Sequence, residues 1–112
     1  MEKECTFCKI ISGEIPSSIV AETENVLAFK NINPFAKVHV LVVPKQHITE
    51  FTQLGQQHYQ VWNELHSVAK KVIIENSIED KGYRIVVNGG GANEVWHLHL
   101  HVLGPVKKEH GL

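Results

Sequence analysis

The run His97-Leu98-His99-Leu100-His101-Val102 alternates histidine with an aliphatic residue at every step. Successive side chains of a β-strand point to opposite faces of its sheet. A strand over this run therefore carries three imidazoles on one face and three aliphatic side chains on the other. The aliphatic row predicts contact with a hydrophobic core, and the histidine row must then face a cavity or solvent.

The rest of the chain predicts an α+β fold with a mainly antiparallel five-stranded sheet. β-Branched and aromatic stretches bounded by turn formers predict strands over 19–21, 26–29, 38–43 and 83–87, and the histidine strand spans 95–103. Apolar residues at offsets 0, 4, 7, 8, 11 and 12 from Val61 predict one long helix, roughly Gly55 to Asn76. A short helix is predicted around 7–11, before Gly13.

Length and charge limit the classes of function. The 112 residues are interpreted as a single domain over 1–112. The net charge of −1 comes from interspersed acids and bases, which argues against binding of extended nucleic acid. The N-terminal residues lack the apolar segment of a signal peptide, and the longest aliphatic run, Val40 to Val43, is too short to span a membrane. We therefore predict a cytoplasmic protein without a membrane segment.

Cys5 and Cys8 are the only two cysteines of the chain. In a reducing compartment, two cysteines at this spacing favour metal binding or redox chemistry over a structural disulfide. A tetrahedral zinc site would need two further nitrogen or sulfur ligands.

The spacing of the histidine row limits its chemistry. Neighbouring histidines of the row lie roughly 6.6 Å apart, from a rise of about 3.3 Å per residue. One metal ion can therefore be chelated by two of them but not by all three. A phosphate group fits the row better, because one neutral imidazole can attack phosphorus while a second donates a hydrogen bond to a phosphoryl oxygen. The preceding Asn88-Gly89-Gly90-Gly91 is either a hairpin turn or a loop whose backbone N–H groups face an anion.

These motifs resemble the histidine-triad (HIT) family. The run from His97 to Leu103 matches the family's alternating histidine signature, and the similarity extends over nearly the whole chain. The other matching segments are Cys5-Thr6-Phe7-Cys8-Lys9-Ile10-Ile11, Gly13-Glu14-Ile15-Pro16, Leu27-Ala28-Phe29, Asn33-Pro34 and His39-Val40-Leu41-Val42-Val43-Pro44-Lys45-Gln46-His47. The chain looks like the Hint-type branch, which contains the purine nucleoside phosphoramidases and adenylyl-amine hydrolases.

The resemblance implies an enzyme that acts on the α-phosphate of a purine nucleotide resembling AMP or GMP. His99 would be the nucleophile and would be transiently nucleotidylylated, while His101 would contact the phosphate and help the leaving group depart. The remaining nucleotide ligands would be Phe7, Phe29, Ile32 and Leu41 around the purine, Asn31 at the ribose, and Asn88 with the backbone near Asn93 and Glu94 at the phosphate.

The resemblance also implies a metal site and an assembly. Cys5, Cys8, His47 and His97 would hold a structural zinc ion, and no organic cofactor is expected. Two copies would form a homodimer in which two five-stranded sheets join into one continuous ten-stranded sheet.

The chain departs from the Hint-type pattern at the ribose position, where Asn31 replaces an acid, and at Ala92-Asn93-Glu94 before the histidine strand. Three other functions stay open: hydrolysis of dinucleoside polyphosphates, a non-catalytic nucleotide-binding adaptor stabilised by zinc, and a metal-dependent enzyme that uses two triad histidines. Of the other histidines, His39 is interpreted as structural, and His58 and His66 as surface or interface residues of the long helix.

Overall fold

A computed structural model describes residues 4–111, and the order of its elements confirms the predicted α+β fold. The helices and strands are α1 (Thr6–Ile11), β1 (Ile19–Glu22), β2 (Val26–Lys30), β3 (Val38–Pro44), α2 (Tyr59–Glu75), β4 (Arg84–Val86) and β5 (Leu100–Gly104). Short 3-10 turns lie at Phe51–Gln53, Gln56–His58 and Lys108–His110. No helix among the described residues is long and apolar enough to cross a membrane.

The five strands form one antiparallel sheet in the order β1-β2-β3-β5-β4. β3 lies at the centre and is buried along nearly its whole length. The register pairs Leu41 with Phe29 of β2 on one side and with His101 of β5 on the other. A histidine of the triad is thereby placed beside two apolar residues that were predicted to bind the purine.

The two faces of the sheet carry two separate cores, as the alternation of the sequence requires. Leu98, Leu100 and Val102 join the core under α2, together with alternate residues of β2 and β3. The intervening residues, among them Leu27, Phe29, Leu41 and Val43, pack with Phe7 of α1 on the opposite face. The triad histidines therefore lie on the α1 side, where the rings of His97 and His99 contact Phe7.

The histidine strand is shorter than predicted, because β5 begins only at Leu100. In the β3–β5 ladder Val42 pairs with Leu100, and β3 ends two residues later at Pro44. Proline has no backbone N–H, so the ladder cannot continue past this position in the usual way. The backbone N–H of Leu98 instead donates to the carbonyl of Ile48, at 2.7 Å.

The long helix differs from the prediction at its start. α2 begins at Tyr59, and the three residues before it form a 3-10 turn. His58 was expected to be a surface or interface residue of the long helix, but it lies in the 3-10 turn before the helix. Its side chain is buried within the chain, and Nδ1 accepts a hydrogen bond from the backbone N–H of Gly55 at 2.9 Å. The imidazole thus stabilises the loop that leads into the helix.

Candidate active site and metal-binding cluster

A cavity of about 530 Å³ lies on the α1 side of the sheet. Side chains of α1, β2, β3 and β5 line it, together with residues of the loops after β2 and before β5. The lining residues are Thr6, Phe7, Ile10, Ile15, Pro16, Ser17, Phe29, Lys30, Asn31, Ile32, Asn33, Phe35, Leu41, Asn88, Ala92, Glu94, Val95, His99 and His101. This volume lies in the range of cavities that bind small molecules.

The inner end of the cavity is apolar. Phe7, Phe29 and Leu41 are each more than 90% buried, and the two phenyl rings meet edge to face with centroids 5.5 Å apart. Ile32 is 90% exposed at the rim. The structure therefore brings the four residues that were predicted to surround the purine to one cavity, in which Ile32 lies at the rim.

His99 is a buried imidazole with a defined tautomer. Its Nδ1 lies 2.8 Å from the backbone carbonyl of His97, and since a carbonyl only accepts, Nδ1 carries the proton. Burial lowers the pKa of His99, while the hydrogen bond to His97 and the charge of Glu94 oppose this shift. The neutral ring consequently keeps an unprotonated Nε2, which is the form that a nucleophile needs.

The tautomer of His101 is determined by two successive hydrogen bonds, from the backbone N–H of Phe35 to His39 and from His39 to His101, which we call the relay. The N–H of Phe35 donates to Nδ1 of His39 at 3.0 Å, so the proton of a neutral His39 must be on Nε2. That Nε2–H lies 2.9 Å from Nδ1 of His101 and donates to it. The proton of His101 is therefore on Nε2. Burial, followed by the nearby charges of His99 and His39, lowers the pKa of His101 to about 4.

Asn31 lies at the same relay. Its Oδ1 accepts the backbone N–H of Asn33 at 2.9 Å, which directs Nδ2 toward Nε2 of His39 at 3.3 Å. Both of these nitrogens carry protons, so this longer approach is a contact and not a hydrogen bond. The side chain of Asn31 thus presents a donor to the cavity, where an acid would present acceptors.

The loop before β5 contributes two of its three predicted ligand residues. Asn88 and Glu94 line the cavity. Asn93 does not: it is 7% exposed, and its side chain bonds to its own loop, with Oδ1 accepting from the N–H of Gly91 and Nδ2 donating to the carbonyl of Val95. The side chain of Asn93 thus has a structural role inside the loop, and contact of a phosphate with the backbone near Asn93 and Glu94 stays a prediction.

Sequence reasoning missed two residues that shape the site. His39 was interpreted as structural, yet it contacts His101 directly. The signal was present, because His39 precedes Leu41 by two residues in one strand and must share its face. The sequence contains no comparable indication for Glu50. Its carboxylate accepts a hydrogen bond at 2.7 Å from the N–H of Gly90, which is 40 positions later in the chain.

A second group of side chains, the metal-binding cluster, consists of Cys5, Cys8, His47 and His97. Their ligand atoms all lie within 4.8 Å of one another. Nδ1 of His97 lies 3.3 Å from Sγ of Cys5 and 3.6 Å from Sγ of Cys8, and Nδ1 of His47 lies 3.3 Å from Sγ of Cys8. The ligand atoms of a tetrahedral zinc ion are separated by about 3.3 to 3.8 Å, given bonds of about 2.0–2.3 Å. The four side chains fit such an ion.

His97 is prepared for this role by its other nitrogen. Nε2 lies 2.8 Å from the carbonyl of Pro44, so it carries the proton and leaves the lone pair of Nδ1 facing the thiols. The side chain is fully buried, and this burial is the main reason why the pKa of His97 is lowered to about 4. A neutral imidazole at this position is the form that binds a metal.

Comparison with known proteins decides the family. A family model described as "Scavenger mRNA decapping enzyme C-term binding" matches residues 4–112. A purine nucleoside phosphoramidase of Escherichia coli (strain K12) is 38% identical over 106 residues, which are 93% of this chain and 89% of that protein. The solved structure of a HIT family hydrolase from Clostridium thermocellum has a TM-score of 0.91 at 44% identity and 96% coverage of both chains. The chain belongs to the histidine-triad family.

Membership of the histidine-triad family confirms the resemblance that the sequence motifs indicated. A protein of Zea mays named "14 kDa zinc-binding protein" is also similar to this chain. The two are 44% identical over 102 residues, which are 88% of this chain and 79% of that protein. The alternating histidines are thus the family's signature, and they lie beside a cluster with the donor set of a zinc site.

Proposed function

We propose that the protein is a nucleotide hydrolase or transferase that acts on purine nucleoside 5′-phosphoramidates or related adenylylated compounds. The bond from Nδ1 of His99 to the His97 carbonyl carries this proposal, because it leaves Nε2 as an unprotonated nucleophile in a cavity with an apolar end. The relation to a purine nucleoside phosphoramidase of Escherichia coli supports the substrate class.

The reaction has two steps. In the first, Nε2 of His99 attacks the α-phosphorus, a bond from nitrogen to phosphorus forms, and the bond to the leaving amine breaks. The amine takes the electron pair of the broken bond and a proton from solvent. His101 lies next to His99, and its Nε2–H is the donor placed to hydrogen-bond the phosphate or the leaving amine. In the second step, water attacks the same phosphorus and gives up a proton to solvent, the bond from phosphorus to Nε2 of His99 breaks, and the nucleotide is released while Nε2 regains its lone pair.

The cavity favours an amine as the leaving group. Phe7, Phe29 and Leu41 offer the purine an apolar site, and Asn88 is positioned to contact the phosphate. The exposed carboxylate of Glu94 also lines the cavity and would repel the additional phosphates of a dinucleoside polyphosphate. Hydrolysis of a dinucleoside polyphosphate, which expels an anionic nucleotide, is therefore the less favoured reaction.

The first experiment compares the wild type with His99→Ala in the hydrolysis of an adenosine 5′-phosphoramidate of a fluorogenic amine. We expect turnover by the wild type and a loss of at least about 1,000-fold in the variant, with the fold and AMP binding retained. A nucleotide adduct on intact protein, detected by mass spectrometry after rapid quenching, should be absent from His99→Ala. Binding of AMP without turnover by the wild type would contradict the proposal and favour an adaptor.

We further propose that Cys5, Cys8, His47 and His97 hold a structural zinc ion. Two sulfur and two nitrogen donors form the closed tetrahedral set that structural zinc prefers. When bound, the ion would cross-link the start of α1, the segment after β3 and the segment before β5. Thiols that serve as metal ligands persist in a reducing compartment, which favours a cytoplasmic location.

We also propose a homodimer. Ile74, Tyr83 and Ile85 expose about half of their surface along the end of α2 and the edge strand β4. Pairing of two β4 edges would cover these side chains and join two five-stranded sheets into ten strands. Sedimentation equilibrium should give twice the chain mass of 12.6 kDa.

A further inference from the structure

The cavity beside His99 has two walls that come from different loops. Asn31, Ile32 and Phe35 belong to the loop after β2, and the proposed function places the nucleoside along this wall and at the apolar inner end. The loop before β5 forms the other wall, with Asn88, Ala92, Glu94 and Val95. The α-phosphorus joins the nucleoside to the leaving amine, so the amine extends from His99 toward the loop before β5.

Glu94 supplies the charge of this second wall. Its side chain is exposed, whereas the next residue, Val95, packs against the apolar core on the α1 side. The carboxylate therefore lies at the mouth of the cavity and not at its purine end. The charge of Glu94 also reaches His99, because it raises the pKa of that ring against the effect of burial. Among the lining residues described, Lys30 carries the other formal charge, and it adjoins Asn31 on the nucleoside side.

The backbone that carries Glu94 is fixed on both sides. Oδ1 of Asn93 accepts the N–H of Gly91 at 3.0 Å, and Nδ2 donates to the carbonyl of Val95 at 3.3 Å. These two hydrogen bonds of one side chain join the residues before and after Glu94. A loop that is ordered in this way loses little conformational freedom when a ligand binds, which favours recognition by the group that it presents.

We propose that Glu94 is a specificity-determining residue for the leaving group, and that it selects amines that carry a second, positively charged group. This inference rests on the proposed function. A terminal alkylammonium group keeps its charge at neutral pH and is attracted by a carboxylate, whereas an anionic group at the same distance is repelled. The substrates that the site favours are therefore adenylylated diamines.

The test measures kcat/KM at pH 7 for three adenosine 5′-phosphoramidates whose amines have similar length and differ in the charge of the far end. The amines are 1,4-diaminobutane, pentylamine and 4-aminobutanoate, with a cationic, a neutral and an anionic end. We expect the wild type to prefer them in this order. The phosphate of the substrate contributes to the same order in every variant, so the comparison with Glu94→Gln isolates the effect of the carboxylate.

Glu94→Gln should lower kcat/KM for the cationic amide, relative to the neutral one, by about two- to fivefold, the contribution of one exposed ion pair. The relative value for the anionic amide should rise by a similar factor. Glu94→Asp should keep the order of the wild type, and Glu94→Lys should favour the anionic amide more than Glu94→Gln does. Glu24→Gln, in the turn between β1 and β2 and outside the described lining, removes the same charge and should keep the ratios of the wild type.

Ionic strength supplies a second readout, which a steric or structural role of Glu94 would not change. Raising the salt concentration from about 0.01 M to about 1 M reduces the Debye length from about 30 Å to about 3 Å. The difference in ratios between the wild type and Glu94→Gln should therefore shrink as salt is added.

Two results with an active wild type would overturn the role of Glu94 alone. One is the same set of ratios in the wild type and Glu94→Gln. The other is an equal fall for all three amides, complete loss included, which would assign the side chain to the loop structure or the phosphate. Failure of the wild type to hydrolyse any of the three amides would instead remove the proposed function, and this inference with it.

Discussion

At the scale of single residues, the site depends on which nitrogen of each imidazole carries the proton. A backbone carbonyl determines this for His99, and a backbone N–H, acting through His39, determines it for His101. Backbone groups cannot change their roles as donor or acceptor, so both tautomers are fixed by the fold and need no charged partner.

Replacing His39 by leucine should slow catalysis through His101. Without the Nε2–H of His39, Nδ1 of His101 loses its donor and the ring can adopt the wrong tautomer. We expect kcat to fall by roughly 10- to 100-fold, with little change in AMP affinity. Steady-state kinetics and calorimetric titration with AMP measure the two effects, and His66→Leu on the exposed side of α2 serves as the control. An unchanged kcat in His39→Leu would show that the relay has no catalytic role.

His101 also makes stability depend on pH. Its pKa is lowered to about 4 in the folded protein, chiefly by burial, while the unfolded value is 6.5. The unfolded chain therefore binds a proton first, and the free energy of unfolding falls as the pH drops from 6.5 toward 4. His99 and His39 face this ring, and Lys30 and Glu94 line the same cavity.

Urea titrations at pH 7 and pH 5 test this linkage. The wild type should lose more stability between the two pH values than His101→Gln, which has no group that titrates at this position. Equal losses in both proteins would contradict the assigned shift.

At the scale of elements, the sequence pattern predicted the sheet and the faces of its strands well. Alternation placed Leu98, Leu100 and Val102 in the core, and the helical period identified α2. The starts of β5 and α2 depend on local interactions that the periodicity of the sequence does not reveal. Pro44 delays the start of β5, and His58 closes a turn before α2.

Contacts between distant segments were not predictable in the same way. The carboxylate of Glu64 in α2 accepts hydrogen bonds from Thr23 and Asn25 in the turn between β1 and β2. These two partners, Thr23 first, lower the pKa of Glu64 to about 2. A single sequence does not show which loop lies opposite a given helix face, so the family resemblance rather than the pattern supplied most predicted site residues.

The loop before β5 depends on Glu50 for its position. Gly90 and Gly91 have φ angles of +64° and +107°, which few other residues adopt, and the carboxylate of Glu50 holds the N–H of Gly90. Because Asn88 and Glu94 of this loop line the cavity, Glu50→Ala should raise KM by about three- to tenfold, the effect of one ordinary hydrogen bond, with a smaller change in kcat. Glu24→Ala in the turn between β1 and β2 is the control. A KM that matches the control would mean that the loop keeps its position without Glu50.

At the scale of the whole molecule, the metal-binding cluster joins the two ends of the chain. Cys5 and His97 are separated by 92 positions, and their side chains meet in one buried site. A bound ion at a concentration of 100 times its Kd stabilises the folded state by about 2.7 kcal/mol.

Removing the ion should therefore affect stability before activity. We expect a chelator to lower Tm on the order of 10 °C for a domain of this size, and zinc to restore it. Hydrolysis well below the new Tm should continue, because the proposed chemistry draws on imidazoles alone. Calorimetry and activity assays on the same samples measure both effects. Complete loss of turnover in protein that is still folded would favour the metal-dependent mechanism.

The position of His97 between the two centres makes them separable. Its imidazole faces the thiols of Cys5 and Cys8, whereas the tautomer of His99 depends only on the main-chain oxygen of His97, which every amino acid carries. A redesigned protein could therefore carry four closely packed apolar side chains in place of Cys5, Cys8, His47 and His97 and keep the tautomer of His99. In such a metal-free protein, van der Waals contacts would replace metal coordination at the cluster, and we expect the activity that depends on His99 to be unchanged.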